Sequence, residues 1–409
     1  MELIGSPLQL ASAVFVNVLG LLLALKAGRV LGAKQGRALM LYAWHSLFCL
    51  VYAIYAVENG ADALVYYLKA QQGEFMALFG TGAVVNIAMP FVTGLNLSFL
   101  GACLLFNIFG AIGLIAFDTC LQEVTANKSK LLRRFATLIV LLPSISFWSS
   151  ALGKDSLAFM AAALTLYATL NMSRRLVLLI LSILVMALVR PHIAGIMVIA
   201  LTGSLVLQRR LPLGQRVFLG AAALAATAAM VPFALSYAGL GEAEGADDIM
   251  NYVEHRQSVN TQGGSSVDLA SMSLPLQLFS YLFRPMPYEA SSIFALAASM
   301  DNVILIFLAI AGAAQIIKHR RHKLAGNRAF MWFYCLLTWL ILAITTANLG
   351  IAVRQKWMFA PLLIYLFISL LGRERQPRRR PAPARAAQVR RISPAAPQAP
   401  HTPANTVQP

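Results

Sequence analysis

Residues 8–56 read LQLASAVFVNVLGLLLAL, KAGRVLGAKQGR and ALMLYAWHSLFCLVYAIYA in succession, so that two apolar runs flank a short basic break. A membrane-spanning helix needs about 20 predominantly apolar residues, and both flanking runs have that character. The same alternation of apolar runs and polar breaks continues to about residue 372. It predicts an all-α chain that forms a polytopic integral membrane helical bundle.

The composition of the whole chain agrees with this prediction. Of its 409 residues, 59% are hydrophobic and only 12% are charged, whereas a soluble domain carries about 25% charged residues. The formal net charge of +17 comes from bases in short breaks and in a C-terminal tail. These bases lie next to apolar runs, so we expect anionic membrane lipids to be their partner and expect no nucleic acid.

We predict about 11 transmembrane helices, which together form a transmembrane domain over residues 1–372. The predicted spans are 8–25, 38–56, 94–117, 135–152, 156–171, 175–189, 192–208, 216–237, 293–317, 329–346 and 356–372. Segment 76–93 is also apolar, but a span there would move every later basic break to the other side. We therefore predict that it is an interfacial or re-entrant segment, which its internal Pro90 suits.

Alternate breaks differ sharply in charge, and this predicts the orientation. One set, together with the tail, holds 26 of the 33 Lys and Arg residues and three of the 16 acids; the other set holds seven bases and 13 acids. Because Lys and Arg concentrate in cytoplasmic loops, we expect the N-terminus outside and the C-terminus in the cytoplasm. The outer side then carries a first loop at 57–93 and a long loop at 238–292, with a short helix predicted at 247–257.

The tail at 373–409 is rich in Pro, Ala and Arg, which predicts a disordered basic segment.

The few bases on the acidic side are the first candidates for a functional site. Five of the seven lie at or near predicted helix ends: Lys154, Arg190, Arg284, Arg354 and Lys356. Helix ends in one leaflet can converge around a cleft, and fixed positive charges in a cleft bind a phosphate or pyrophosphate. The plainer alternative is that these side chains anchor helix ends at the lipid headgroups.

The acidic side also supplies candidate polar partners. Asp62, in NGADALVYY, could act as a general base toward a sugar hydroxyl, or it could be a solvated loop acid. Asp155 follows Lys154 and could orient a cation or a hydroxyl, and His192 shares the tight turn RPH with Arg190. Asp301 falls inside the predicted span 293–317, where a buried acid usually pairs with a base; Arg284 and Arg354 are the candidate partners.

Several kinds of site receive no support from the sequence. It contains no GxxxxGK[ST] or GxGxxG fingerprint, no HExxH and no GxSxG. The sequence therefore signals neither a nucleotide site nor a metal site, and we predict no cofactor, with a divalent cation left open.

An ordered series of short phrases resembles the GT-C class of integral-membrane glycosyltransferases, and also multi-spanning proteins of bacterial exopolysaccharide and O-antigen clusters. The phrases are NGADALVYY, PSISFWSSALGKDSLAF, RPH, FRPMPYEA and ANLGIAVRQK, and they extend over most of residues 40–370. The resemblance implies a GT-C-like fold with extracytoplasmic loop helices in a bacterial inner membrane. This chain departs from the paired-acid version of the first-loop motif, because Ala61 and Ala63 flank Asp62.

The resemblance also implies a reaction, namely sugar transfer from a polyprenyl-phosphate or polyprenyl-pyrophosphate donor on the periplasmic face. The acceptor would be a glycan or a lipid-linked saccharide, as in a transferase or a polysaccharide polymerase. Asp62 would activate the acceptor hydroxyl. The residues implied to hold the donor phosphate are Arg190, Arg284 and Arg354, together with Lys154, His192 and Lys356.

Two other classes of function stay open at the level of the sequence. A transporter or flippase for an anionic lipid or solute would need polar residues midway through its spans, and Asp301 is the clearest such residue. A non-catalytic subunit of a polysaccharide assembly machine would use the long loop and the basic tail to dock other assembly proteins.

Overall fold

The computed structural model describes residues 2–206, 272–318 and 328–372, with a few further positions between 214 and 228. The elements with defined bounds in these ranges are helices. In chain order they are α1 (Pro7–Leu31), α2 (Gln35–Asn59), α3 (Asp62–Gln72), α4 (Thr81–Gly94), α5 (Phe99–Thr125), α6 (Lys130–Val140), α7 (Pro143–Ser149), α8 (Lys154–Thr169), α9 (Leu176–Val189), α10 (Pro191–Val206), α11 (Leu274–Phe283), η1 (Pro287–Glu289), α12 (Ile293–Ile317), α13 (Arg328–Thr345), α14 (Leu349–Gln355), η2 (Lys356–Met358) and α15 (Ala360–Leu370).

Local sequence signals set where the long helices begin. Ser6, Ser98 and Ser129 each accept a hydrogen bond from a backbone N–H in the first turn of α1, α5 and α6, respectively. A serine hydroxyl at this position satisfies a donor that the helix itself leaves unpaired. Gly32 ends α1 in the left-handed region, at φ 85°, which glycine adopts at little cost.

Among the described residues, six helices are long and apolar enough to cross a membrane. They correspond to the predicted spans 8–25, 38–56, 94–117, 135–152, 293–317 and 329–346, the fourth of which is Lys130–Ser149 with a break between α6 and α7. The predicted span 356–372 lies in a pair of helices, Leu349–Met358 and Ala360–Leu370, that meet at a bend of 67° and would make a seventh. These features agree with a helical membrane protein.

The predicted total of about 11 spans is therefore wrong. Segments 156–171, 175–189 and 192–208 form α8, α9 and α10, which contain 16, 14 and 16 residues. At 1.5 Å per residue they extend only about 21–24 Å, against a hydrocarbon core of about 30 Å. Hydropathy cannot separate such helices from true spans, because α8 is apolar from burial within the bundle, between α5 and α9.

Segment 76–93 contains α4, which is also too short to cross a membrane. This 14-residue helix has Pro90 in its interior and packs on α3. The Asn86 side chain holds the preceding turn, since it accepts from the Met76 backbone N–H and donates to the Met76 carbonyl, both at 2.9 Å. The hairpin of α3 and α4 is thus a rigid unit beside the bundle.

The opposite ends of the bundle have different chemistry. At one end, which we call the basic end, α1 passes into α2, α5 into α6 and α8 into α9. There Arg37 forms a two-point contact with Asp118, at 2.5 and 2.6 Å, and Lys128 donates to the carbonyls of Ile368 and Ser369 at the end of α15. We call the other end, where α2 passes into α3 and α9 into α10, the site end.

Helix α5 runs through the centre of the bundle and contacts α1, α2 and α8. Asn107, on α5, has a polar partner on a neighbouring helix. His45, on α2, contacts Asn107 at 2.6 Å and Ser149, on α7, at 3.0 Å, and all three side chains are buried. Buried polar groups of this kind need partners to avoid a desolvation penalty. This network joins α2, α5 and α7 directly below the site end.

Several predictions fall on residues outside the described ranges. They are most of the span 216–237, the helix at 247–257 with the rest of the long loop as far as residue 271, and the tail at 373–409.

Candidate functional site

Asp62 reaches the site end through a glycine turn. Helix α2 ends at Gly60, whose φ of 71° lies in the region that favours glycine, and α3 begins two residues later with Asp62 in its first turn. A carboxylate in the first turn of a helix is stabilised by the positive end of the helix dipole. The turn therefore sets Asp62 at the edge of the bundle with its side chain 56% exposed.

Lys154 and Asp155 occupy the first turn of α8. The chain enters this helix through a buried connection, because Ser150, Ala151 and Leu152 are almost fully covered. Asp155 consequently has a side chain that is only 13% exposed. A carboxylate buried to this degree requires opposite charges close by.

Arg190 and Arg354 provide those charges from two different parts of the chain. Arg190 is the residue that ends α9, immediately before Pro191 begins α10. Arg354 lies on α14, a helix that starts at Asn348, whose side chain accepts from the Ile351 backbone N–H at 3.2 Å.

The four charged groups form one continuous network, in which Asp155 is the centre. Arg190 Nη2 donates to Asp155 Oδ1 at 2.7 Å, and Arg354 Nε donates to Asp155 Oδ2 at 3.1 Å. Arg354 Nη2 also donates to Asp62 Oδ2 at 3.0 Å. The guanidinium of Arg354 thus bridges a buried carboxylate, Asp155, and an exposed one, Asp62, which lies 292 residues earlier in the sequence than Arg354.

A small cleft opens beside this network. Its lining combines charge with aromatic surface: Tyr52, Asp62, Tyr66, Trp148, Ala151, Leu152, Gly153, Lys154, Asp155 and Arg354. The Arg354 guanidinium carbon lies 5.4 Å from the centre of the Trp148 ring, which is within range of a cation–π interaction. Charged donors of this kind can bind an anionic group.

Lys154 brings a third positive group to this end of the bundle, so that these three cations and the two carboxylates together carry one net positive charge. Burial and the nearby Arg190 lower the pKa of Lys154 to about 8. Burial alone would raise the pKa of Asp155, but Arg354 and Arg190 outweigh it and hold that pKa below its usual value. Burial and the Asp62 carboxylate raise the pKa of Tyr66 to about 12, so its hydroxyl remains a donor.

The structure brings five of the eight candidate residues together: Asp62, Lys154, Asp155, Arg190 and Arg354. The other three lie elsewhere. Arg284 pairs with Glu289, with Nε and Nη2 at 2.8 and 2.6 Å from Oε1. Lys356 is fully buried and donates to Asn302. His192 is partly buried in the first turn of α10 and does not line the cleft.

The predicted partners of Asp301 are wrong. Asp301 is fully buried on α12, as expected, but Arg284 is engaged by Glu289 and Arg354 by the two aspartates of the site. The charge that acts on Asp301 is Lys356. Lys356 reaches the interior because the chain bends between η2 and α15, so that η2 packs on α8 instead of continuing a straight span.

The structure also adds residues that the charge pattern did not indicate. Thr81, at the start of α4, accepts a hydrogen bond from Lys154 Nζ at 3.1 Å. Burial of Tyr281, on α11, raises the pKa of its hydroxyl, and Arg190 and Asp155 have smaller effects on that pKa. A neutral residue in an apolar stretch gives no sequence signal of this kind; only the fold places it beside the charges.

Within residues 2–206, 272–318 and 328–372, no group of three His, Cys, Asp or Glu side chains is arranged to hold a metal ion. No protein family, curated protein or solved structure matches this chain. The described residues therefore form a helical protein with six candidate membrane-spanning helices and a charged site at the end of the bundle where α2 passes into α3.

Proposed function

We propose that this chain is an integral membrane glycosyltransferase that uses a polyprenyl-phosphate- or polyprenyl-pyrophosphate-linked sugar on the periplasmic face of a bacterial inner membrane. The observation that carries the proposal is the bridge from Asp62 through Arg354 to Asp155, beside a cleft that Lys154 also lines. It sets a carboxylate that can accept a proton beside cations that can hold a phosphate. Cell-surface polysaccharide synthesis is the process that such a transferase or polymerase would serve.

The roles follow from the positions of the groups. The acceptor oxygen attacks the anomeric carbon of the sugar, and its proton passes to the exposed carboxylate of Asp62. The bond from that carbon to the phosphate oxygen breaks, and the lipid phosphate leaves with the electron pair. Arg354, Arg190 and Lys154 stabilise the negative charge that develops on the leaving group. Asp155 holds both arginines in place and takes no proton itself.

Asp62→Asn tests this assignment. We expect the purified variant, in lipid nanodiscs with a polyprenyl-phosphate-linked sugar, to release polyprenyl phosphate at least 100-fold more slowly, since general-base catalysis contributes roughly 10²–10⁴-fold. Donor binding should stay within about threefold, a change below 1 kcal/mol. The matched control is Glu58→Gln, an exposed acid at the end of α2, which should retain full turnover.

A second class of function has one observation in its favour. Asp301 and Lys356 are both fully buried in the bundle, and buried charges within spans are typical of transporters and flippases. A lipid-movement assay on wild type and Asp62→Asn separates the two classes. A flippase would move a fluorescent lipid phosphate across proteoliposomes with equal speed in wild type and Asp62→Asn, and neither protein would release polyprenyl phosphate from a sugar donor.

A further inference from the structure

Helix α6, at the basic end, presents two bases and two leucines on one exposed face. Lys130, Leu131, Arg134 and Leu138 follow one another at intervals that bring residues three and four apart onto the same side of a helix. All four are exposed, Leu131 to 78% and Leu138 to 54%. The residues that α6 buries lie on its other side. The exposed face is therefore both apolar and positively charged.

The two bases of this face have no carboxylate partner in the part of the chain that the structure describes. The ion pairs found there involve neither Lys130 nor Arg134. Their neighbour Arg133 differs, because its guanidinium donates to the Ala126 carbonyl at the end of α5. Lys130 and Arg134 thus present their charges outward, to whatever surrounds the bundle at this level.

Helix α12 extends the apolar part of this face. Phe135, on α6, meets Phe307, on α12, with ring centroids 5.6 Å apart. Leu131 and Leu138 lie about one turn to either side of Phe135, and Ile310 lies one turn from Phe307, so exposed apolar side chains flank the ring contact on both helices. We call the following residues the α6–α12 face: Lys130, Leu131, Arg134, Leu138, Phe307 and Ile310.

The depth of these residues in the membrane follows from the spans. Helix α6 is the first part of Lys130–Ser149, one of the candidate membrane-spanning segments, and it begins at the basic end. Its first turns, with Lys130 and Arg134, therefore lie near the membrane boundary, and Leu138 lies about 6 Å deeper than Arg134. Bases at the boundary with apolar side chains below them match the layout of a phospholipid, whose phosphate lies above its acyl chains.

We propose that the α6–α12 face is a binding site for an anionic phospholipid of the membrane. The lipid phosphate contacts Lys130 and Arg134, since guanidinium and ammonium groups bind phosphate oxygens. The acyl chains lie along Leu138, Phe307 and Ile310. Two positive charges without carboxylate partners favour an anionic lipid over a zwitterionic one. The site lies at the opposite end of the bundle from the cleft and does not depend on the proposed function.

Leu131→Cys carries a fluorescent probe for the test, because Leu131 is exposed and the four native cysteines are buried. The full-length protein, labelled with bimane at this thiol, is reconstituted in phosphatidylcholine. Phosphatidylglycerol or phosphatidylcholine, brominated near the headgroup end of the acyl chains, is then added as a contact quencher. We expect half-maximal quenching at a mole fraction about 25-fold lower for phosphatidylglycerol, since each of two bases contributes about fivefold. Equal quenching by the two lipids would overturn the proposal.

Arg134→Gln, added to the labelled protein, tests whether this face is the site. The preference for phosphatidylglycerol should fall to about fivefold, and the unfolding midpoint should stay the same because Arg134 is exposed. The matched control is Arg29→Gln, which removes another exposed arginine of the basic end, on α1. It should keep the full preference. An equal loss in both variants would mean that the general charge of this end attracts the lipid, and an unchanged preference in Arg134→Gln would equally contradict the site.

A second copy of the chain is the other occupant that the experiment can detect. If neither brominated lipid quenches the probe, protein covers the face instead of lipid. A bifunctional maleimide would then crosslink unlabelled Leu131→Cys into a dimer, and that result would overturn the proposal. None of these measurements involves sugar transfer, so their outcome and that of the Asp62→Asn experiment are independent.

Discussion

Lys154 is the cation of the site whose charge can be removed within an experimental pH range. It lies in the first turn of α8, outside the six helices that can span a membrane, and donates to Thr81. Its lowered pKa, about 8, comes from burial and from Arg190. The ammonium is therefore charged well below pH 8 and becomes neutral as the pH rises through that value.

This titration predicts a pH-dependent affinity for an anionic ligand. Between pH 7.5 and 9 the affinity of wild type for polyprenyl phosphate should fall by several-fold, because a smaller fraction of Lys154 carries charge. The second ionisation of the phosphate, near pH 6, is already complete in this range. Lys154→Arg keeps its charge and should show a flat profile at high affinity, whereas Lys154→Met should be flat at low affinity. A wild-type slope that persists in Lys154→Arg would assign the titration to another group.

The residue scale also shows where sequence reasoning reached its limit. Asp62, Asp155, Arg190 and Arg354 were indicated by their charge on the sparsely basic side of the chain, and these four form one network. The same charge pattern indicates Lys356, yet its ammonium is buried in the bundle and donates to Asn302. Charge along a sequence shows which residues need partners, but the direction of a side chain depends on bends such as the one after η2.

At the scale of elements, the site depends on how closely α5 approaches α7 and α8. Gly113 allows this contact, since a Cβ atom there would lie 2.8 Å from the Met160 Cα. Gly110 is still more confined, because a Cβ atom would overlap the Ser149 carbonyl oxygen and the His45 ring. Small residues at helix crossings in membrane proteins permit such close packing.

Gly110→Ala should consequently damage the fold and the site together. Since the overlapping atom is backbone, α7 must move, and we expect a loss of about 3 kcal/mol of unfolding free energy. Gly36→Ala is the matched control, because nothing lies within 4 Å of its Cβ position and its φ is not positive; its stability should be equal or up to about 1 kcal/mol higher. Thermal unfolding in detergent measures both. Equal midpoints for the two variants would contradict the packing at Gly110.

Hydropathy located the helices well, but it did not show which of them are long enough to cross a membrane. Helix α12 has its predicted bounds, α2 extends three residues beyond each predicted end, and α1 continues six residues past its predicted end into the basic break. Helices α8, α9 and α10 lie within about two residues of the segments predicted as spans, but they are too short to cross a membrane. Burial inside a bundle, as in α8, selects the same residue types as burial in lipid. The count of spans therefore depends on packing that only the fold shows.

At the scale of the whole molecule, the charge asymmetry and the fold agree on which loops share an end. Asp62 and Arg354 come from the first and the last loop of the acidic set, and they are in contact at 3.0 Å. Lys128 of the basic set meets the end of α15 at the opposite end of the bundle. The assignment of these ends to the periplasm and the cytoplasm is the part of the proposal that a labelling experiment decides.

Single added thiols can report this orientation cleanly, because the four native cysteines are all buried. Glu74→Cys places an exposed thiol on the turn between α3 and α4 at the site end, and Lys34→Cys places one between α1 and α2 at the basic end. Because loops rich in Lys and Arg remain in the cytoplasm, a membrane-impermeant maleimide should label Glu74→Cys in bacterial cells with a permeable outer membrane. Lys34→Cys should react only after the inner membrane is lysed, and the unsubstituted protein should stay unlabelled throughout. Labelling of Lys34→Cys alone before lysis would place the site in the cytoplasm, where a periplasmic polyprenyl-linked donor could not reach it.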